Sequence, residues 1–197
     1  MFVNMYETKL WSLGIELRRI KDQYDHIINI DAADTLFLRH IKELDINYLK
    51  GMMLFAGERN QFPFKQLDDL YSEEEKREEY PYLNGGGFMG EMPAVIRAFD
   101  HMEARRMFSS GTLIANEFTD YFRDDQGAWA YEYVHGYPIV IDNTAQVFQT
   151  LCLVDQEKNL CIENGELFNM ITGTQPFILH ANGSSDYQNI YEQIIKR

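Results

Sequence analysis

Two aspartates three residues apart, Asp31 and Asp34, directly follow a run of β-branched apolar residues, Ile27, Ile28 and Ile30. Hard carboxylate oxygens at that spacing can share one divalent cation, Mg2+ or Mn2+, and a cation so held can also grip a diphosphate. Position matters as much as residue type, because open α/β sheets place ligands just past the carboxyl ends of their strands. The isoleucine run has the composition of a buried strand in such a sheet. Asp also favours turns and helix caps, so the plain alternative is a strand followed by a solvated turn.

Other apolar runs end in chemistry-bearing residues as well. Met52–Ala56 leads to Glu58, and Pro176–Leu179 leads to His180, Asn182 and Gly183. Two aspartate oxygens and one imidazole nitrogen form a coherent donor set for Mn2+, which accepts both ligand types. A lone His after a strand is otherwise an ordinary hydrogen-bonded residue. Three consecutive glycines, Gly85, Gly86 and Gly87, cost backbone entropy. They serve either as a tight connection to a strand starting at Phe88 or as a place where backbone approaches a ligand such as a sugar or diphosphate. No Lys-Ser/Thr follows them, so they are not a P-loop. The stretch from Phe118 to Tyr133 carries Asp120, Asp124, Asp125 and Gln126 ahead of an aromatic-rich helix. Adjacent acids suit a helix start; they could equally hold an acceptor substrate, with Trp129 offering an apolar face.

These residues need positioning elements, and the apolar periodicity supplies them. Leu10, Leu13, Leu17 and Ile20 predict an amphipathic helix over Lys9–Lys21, closed by Arg18, Arg19 and Lys21 where cations suit the dipole. Ile41, Leu44, Ile46 and Leu49 suggest a short helix or turn. Residues 68–79 read as a solvated acidic loop or helix. Pro93 opens a helix over Ala94–Arg105. Pro138–Ile141 predicts a strand ending at Asp142, Ala145–Leu151 a half-buried alternating strand, Asn164-Gly165 a hairpin, and Tyr187–Arg197 a terminal helix.

The whole chain, 197 residues, is long enough for one domain with a proper core. A net charge of −13 argues against a generic nucleic-acid surface and suits a site that recruits a cation. No apolar run is long enough for a membrane span, and the N-terminus lacks the build of a secretory signal. Cys152 and Cys161 are expected to be buried thiols, with no disulfide framework and no zinc motif. The expected setting is therefore reducing and cytoplasmic. His26, His40, His101 and His135 have no motif context.

Asp31-Ala32-Ala33-Asp34, Tyr80 to Gly90, Asp124-Asp125-Gln126, Asp142 to Leu151 and His180-Ala181-Asn182-Gly183 occur in the order and spacing that resemble the glycosyltransferase domain of the procollagen lysyl hydroxylases and its stand-alone viral and microbial relatives. The resemblance runs from about Lys9 to Ser184. It implies an α/β fold of the GT-A type, with a central mixed sheet flanked by helices, using Mn2+ and a UDP-sugar. By resemblance, Asp31, Asp34 and His180 would bind the metal, with Mg2+ as the alternative ion. Asn84, Gly85 and Gly86 would line the sugar pocket, Asn182 and Gly183 the diphosphate, and Asp124 and Asp125 the acceptor side. The family pattern has a serine where this chain has Gly85, which removes a hydroxyl from the pocket. Relatives also carry a strand–helix–strand portion ahead of the helix near Lys9, and it holds much of the nucleoside. Against that pattern the fold is expected to be N-terminally shortened, with a homo-oligomer as one way to cover the exposed side. The expected function is metal-dependent sugar transfer from a nucleotide sugar to a hydroxyl on a protein, a glycan or a modified base. A non-catalytic binding module and a metal-dependent phosphohydrolase are the alternatives.

Overall fold

The computed structural model describes residues 5–111 and 124–195, with side chains described over 9–105 and 124–194. Asp120 and its neighbours from Phe118 to Arg123 lie outside the described residues. In chain order the elements are α1 (Met5–Ile20), β1 (His26–Ile30), β2 (Thr35–Phe37), β3 (Met53–Glu58), β4 (Tyr82–Glu91) and α2 (Met92–Gly111). Then come α3 (Asp125–Val134), β5 (Ile139–Asp142), β6 (Phe148–Thr150), α4 (Gln156–Asn159), β7 (Leu160–Glu163), β8 (Glu166–Asn169), β9 (Ile178–His180) and α5 (Gln188–Ile195).

A four-stranded mixed sheet, ordered β1-β4-β3-β5, forms the centre. β4 runs antiparallel to both β1 and β3, while β3 and β5 are parallel. The period-2 alternation of β3 explains how both faces are buried. Met53 and Phe55 face a helical layer of α1, α2 and α3, packed through Leu17, Val95, Phe99 and Trp129. Leu54 and Ala56 face the other way, onto Val147, Phe148, Phe177 and Ile178. That second layer is a three-stranded sheet, β2-β9-β6, rather than more helices. The central sheet is thus flanked by helices on one face and by a small sheet on the other.

Several elements depart from the sequence expectations, each for a packing reason. β1 is not a fully buried strand: it pairs only with β4, and its isoleucines are half-buried. The segment around Ala145–Leu151 does not alternate between core and water. All three residues of β6 are buried, because β6 lies beside β9 between the central sheet and the cluster of Leu151, Leu167 and Leu179. Asp142 ends β5 as expected, and its buried carboxylate accepts the N–H groups of Gln146, Val147 and Phe148 at 2.7–2.8 Å. The acidic stretch 68–79 is the expected mostly exposed loop with short 3-10 turns, anchored where the Tyr82 hydroxyl donates to Asp68 and the Tyr133 hydroxyl to Glu75. Asn164 and Gly165 do turn a hairpin between β7 and β8, both with positive φ.

Candidate functional site

The glycine run is part of β4, not a connection before a strand. Pairing with β3 jumps from Phe55↔Phe88 to Ala56↔Asn84, so Gly85, Gly86 and Gly87 bulge out opposite β3. The bulge lies beside the end of β1, where the Asp31 N–H donates to the Gly86 carbonyl at 2.8 Å. From there Asp31–Asp34 forms a turn. The Thr35 hydroxyl ties it to the Asp31 carbonyl at 2.5 Å, and the Ala181 N–H ties it to the Asp34 carbonyl at 2.8 Å. Sheet ladders on both sides therefore set the two aspartates against His180, the last residue of β9.

A Cβ placed on Gly86 would lie 2.1 Å from His180 Cε1 and 2.9 Å from both His180 Nε2 and Asp31 Oδ2. Only glycine lets the His180 ring edge pack this close to the backbone of β4, which leaves Nε2 and Asp31 Oδ2 near one point. His180 is buried, and its Nδ1 lies 3.1 Å from Asn84 Oδ1. That Asn84 atom is the oxygen, because it also accepts the Gly86 N–H. The imidazole proton therefore sits on Nδ1, and Nε2 presents a lone pair. Burial holds the ring below its ordinary pKa, against the opposing pull of Asp34 and Asp31. Nε2 faces Asp34 Oδ1 at 3.4 Å, and that buried carboxylate oxygen accepts no hydrogen bond. In the neutral ring that burial favours, Nε2 and Asp34 Oδ1 are two acceptors with no hydrogen bond between them, an arrangement a cation would resolve.

On the opposite wall, Asp124 caps α3, accepting the Gly127 N–H at 3.0 Å. Burial raises its pKa. Asp125, in the first turn, pairs through Oδ2 with Lys9 Nζ at 2.7 Å. The same ammonium reaches Asp31 Oδ1 at 2.8 Å. Between the two walls lies Glu58, the buried last residue of β3. Its two oxygens accept from Gln126 Nε2 at 2.5 Å and from Asn182 Nδ2 at 2.6 Å. Gln126 also takes the Gly85 N–H on its carbonyl oxygen at 2.9 Å, and Asn182 takes the N–H groups of Leu151 and Cys152, each at 2.9 Å. Burial drives the Glu58 pKa up to about 7, although the amides of Gln126, Asn84 and Asn182 pull it down.

All ten expected site residues, Asp31, Asp34, Asn84, Gly85, Gly86, Asp124, Asp125, His180, Asn182 and Gly183, line one cavity of about 310 Å³. The metal trio is not a ready-made cage. Among the described residues, no group of three or more His, Cys, Asp or Glu side chains is gathered closely enough to hold an ion. Asp34 and His180 meet directly, while Asp31 divides its oxygens between Lys9 and the space over Gly86. Trp129 offers no face to an acceptor, being buried against Phe55 and Phe99. Both cysteines are half-buried rather than core thiols, and Cys152 lines the cavity beside the left-handed Gly183. Sequence reasoning gave no role to Lys9, Asn60 or Phe62 and none beyond a strand end to Glu58, yet all four line the cavity. Nothing local marks Lys9, one position ahead of an ordinary amphipathic stripe. The signal for Glu58 was there: an acid closing a fully apolar strand must end up buried or in a site.

Among the described residues no helix is long and apolar enough to cross a membrane. The sequence model of the family described as "PLOD GT domain" matches residues 7–194. No curated protein matches the chain by sequence. Solved structures do match it in fold. A glycosyltransferase involved in glycosylation of the major capsid of PBCV-1 aligns with a TM-score of 0.52 and 9% identity, over 96% of this chain and 75% of that one. Mouse xyloside xylosyltransferase 1, in its apo form, aligns with a TM-score of 0.53 and 14% identity, over 90% of this chain and 65% of that one.

Proposed function

The chain belongs to the PLOD GT domain family, a glycosyltransferase-type domain, and we propose that it moves a sugar from a UDP-linked donor to a hydroxyl acceptor with a divalent cation, Mn2+ ahead of Mg2+. The observation that carries this reading is convergence: ten residues from separate elements line one cavity at the strand ends. The donor set fits a cation on two counts. Asp34 Oδ1 is a buried oxygen without a donor, and the bare Gly86 lets the His180 ring and Asp31 Oδ2 pack against the strand so that Nε2 and Oδ2 stand close to one point. Asp31, Asp34 and His180 would hold the ion, which when bound supplies positive charge against a diphosphate leaving group.

The chain's own residues do the rest. Asn84 fixes the His180 tautomer through its side-chain oxygen and belongs to the same strand as the bare glycines, so the sugar side is shaped by backbone. Gln126 and Asn182 spend their amides on Glu58 and on nearby N–H groups, which makes both positioning residues. On the acceptor side, Asp124 or Asp125 orients the hydroxyl and takes its proton on a carboxylate oxygen. Burial raises the Asp124 pKa, which makes that carboxylate a stronger base than a free aspartate. Five carboxylates and one cationic side chain, Lys9, line the cavity among the described residues, which favours a protein or glycan hydroxyl over a polyanionic nucleic acid.

The test is a panel of nucleotide sugars and hydroxyl acceptors, with UDP release and acceptor mass both measured, in Mn2+, in Mg2+ and in chelator. Transfer should need the cation and vanish when Asp31, Asp34 and His180 are all replaced by Ala. Transfer that survives the triple replacement sinks the assignment. Inorganic phosphate released without sugar transfer points to a hydrolase.

A further inference from the structure

Lys9 comes from α1, outside both sheets, yet its ammonium lies 2.8 Å from Asp31 Oδ1 and 2.7 Å from Asp125 Oδ2. It therefore joins two carboxylates with different tasks, one on the candidate metal side and one on the acceptor side. It is also the one cationic side chain lining the cavity among the described residues. The ammonium sits on Asp31 Oδ1, and the other oxygen, Oδ2, is the one turned to Gly86 and His180, so ammonium and metal ion would share one carboxylate charge. We propose that Lys9 is a competing internal cation: it clamps Asp31 Oδ1 to Asp125, and a divalent ion on Asp31 Oδ2 opposes its charge across the same carboxylate and drives it off Asp31, leaving it on Asp125. Metal loading then releases half of the clamp and alters the acceptor-side acid at the same time.

The coupling follows from charge. The ammonium is held by two ionic hydrogen bonds in a half-buried site, where such bonds are screened less than at the surface. The side chain is long and unbranched, so it can stay on Asp125 while it leaves Asp31. The inference rests on the metal assignment above, and the experiment separates the two. Mn2+ binding is read from the EPR signal of free Mn2+, without substrate or turnover, on the wild type, Lys9→Met and Lys9→Arg.

Lys9→Met, which keeps the stem and removes the charge, should bind Mn2+ about tenfold tighter, within the range usual for coupled ligands. Lys9→Arg should stay near the wild type. Equal affinity in wild type and Lys9→Met, or weaker binding in Lys9→Met, overturns the inference while the metal site stands. If neither protein binds Mn2+, the metal assignment falls and the inference with it. A second measurement uses the wild type alone, so folding of the variant does not decide the result. With reductively 13C-methylated lysines, Mg2+ should shift the Lys9 NMR signal, identified by its loss in Lys9→Arg. A signal that stays fixed while Mg2+ saturates the site overturns the proposal.

Discussion

Gly86→Ala is the sharpest single perturbation of this site, because it adds one methyl group where donor atoms converge. The added carbon would start 2.1 Å from His180 Cε1 and 2.9 Å from Asp31 Oδ2. Carbon atoms pack at about 3.5 Å, so the imidazole edge must retreat by roughly 1.4 Å. It cannot do so freely, since His180 is buried and tied to Asn84. Overpacking of this kind costs about 1–3 kcal/mol. Losing a glycine returns roughly 0.4–1 kcal/mol through the unfolded chain. The net destabilisation expected is therefore about 1–2 kcal/mol, which lowers the melting temperature by roughly 2–8 °C for a chain of this size. The functional effect should be larger. A displacement of about 1 Å at a reacting centre can cost about a hundredfold in rate, and the displaced atoms here are proposed metal ligands. The assay pairs thermal unfolding with Mn2+ affinity and sugar transfer. Gly85→Ala is the companion, since its Cβ would meet Gln126 Cα and Cβ at 2.9 Å and disturb the start of α3 instead. If Gly86→Ala keeps wild-type Mn2+ affinity and transfer within about threefold, far short of the hundredfold expected for such a shift, close approach at Gly86 does not shape the site.

Glu58→Gln tests the buried acid. A folded pKa of about 7 lies above the unfolded value of about 4.3, so the stability this group contributes is complete below pH 4.3 and is lost as pH rises through 7. Urea titrations should show that slope in the wild type and a flatter one in Glu58→Gln; identical slopes would contradict the burial argument. Asp142→Ala should act on stability alone, stranding the N–H groups of Gln146, Val147 and Phe148 at a cost of about 2–3 kcal/mol. Its Mn2+ affinity should match the wild type, and a selective loss of binding with normal stability would contradict a purely structural role for Asp142.

Much of the fold was legible from local pattern. Helix α1, the strands ending at Asp31, Glu58 and His180, and the Asn164-Gly165 hairpin all follow from periodicity and turn chemistry, which are short-range properties. The errors came where tertiary packing overrides such patterns. A half-buried β1 and a fully buried β6 differ only in what covers them, and the apolar residues of both would suit either setting. Trp129 looked available because aromatic residues serve both cores and ligand faces, and only the packing of Phe55, Phe88 and Phe99 around it decides the matter.

Asp31 and Asp34 divide in the same way. The sequence by itself determined that two carboxylates follow a strand, that glycines crowd one stretch of β4, and that an imidazole and an amide close another strand, because residue type and spacing are written in the chain. Only the tertiary structure decided that they meet. Gly86 brings Asp31 Oδ2 and His180 Nε2 near one point, Asp34 Oδ1 is left buried without a donor, and Lys9 arrives from a different element to hold Asp31 to Asp125. Convergence depends on strand pairing across more than a hundred residues, as in Thr35↔His180, and no local propensity encodes the register of such pairs.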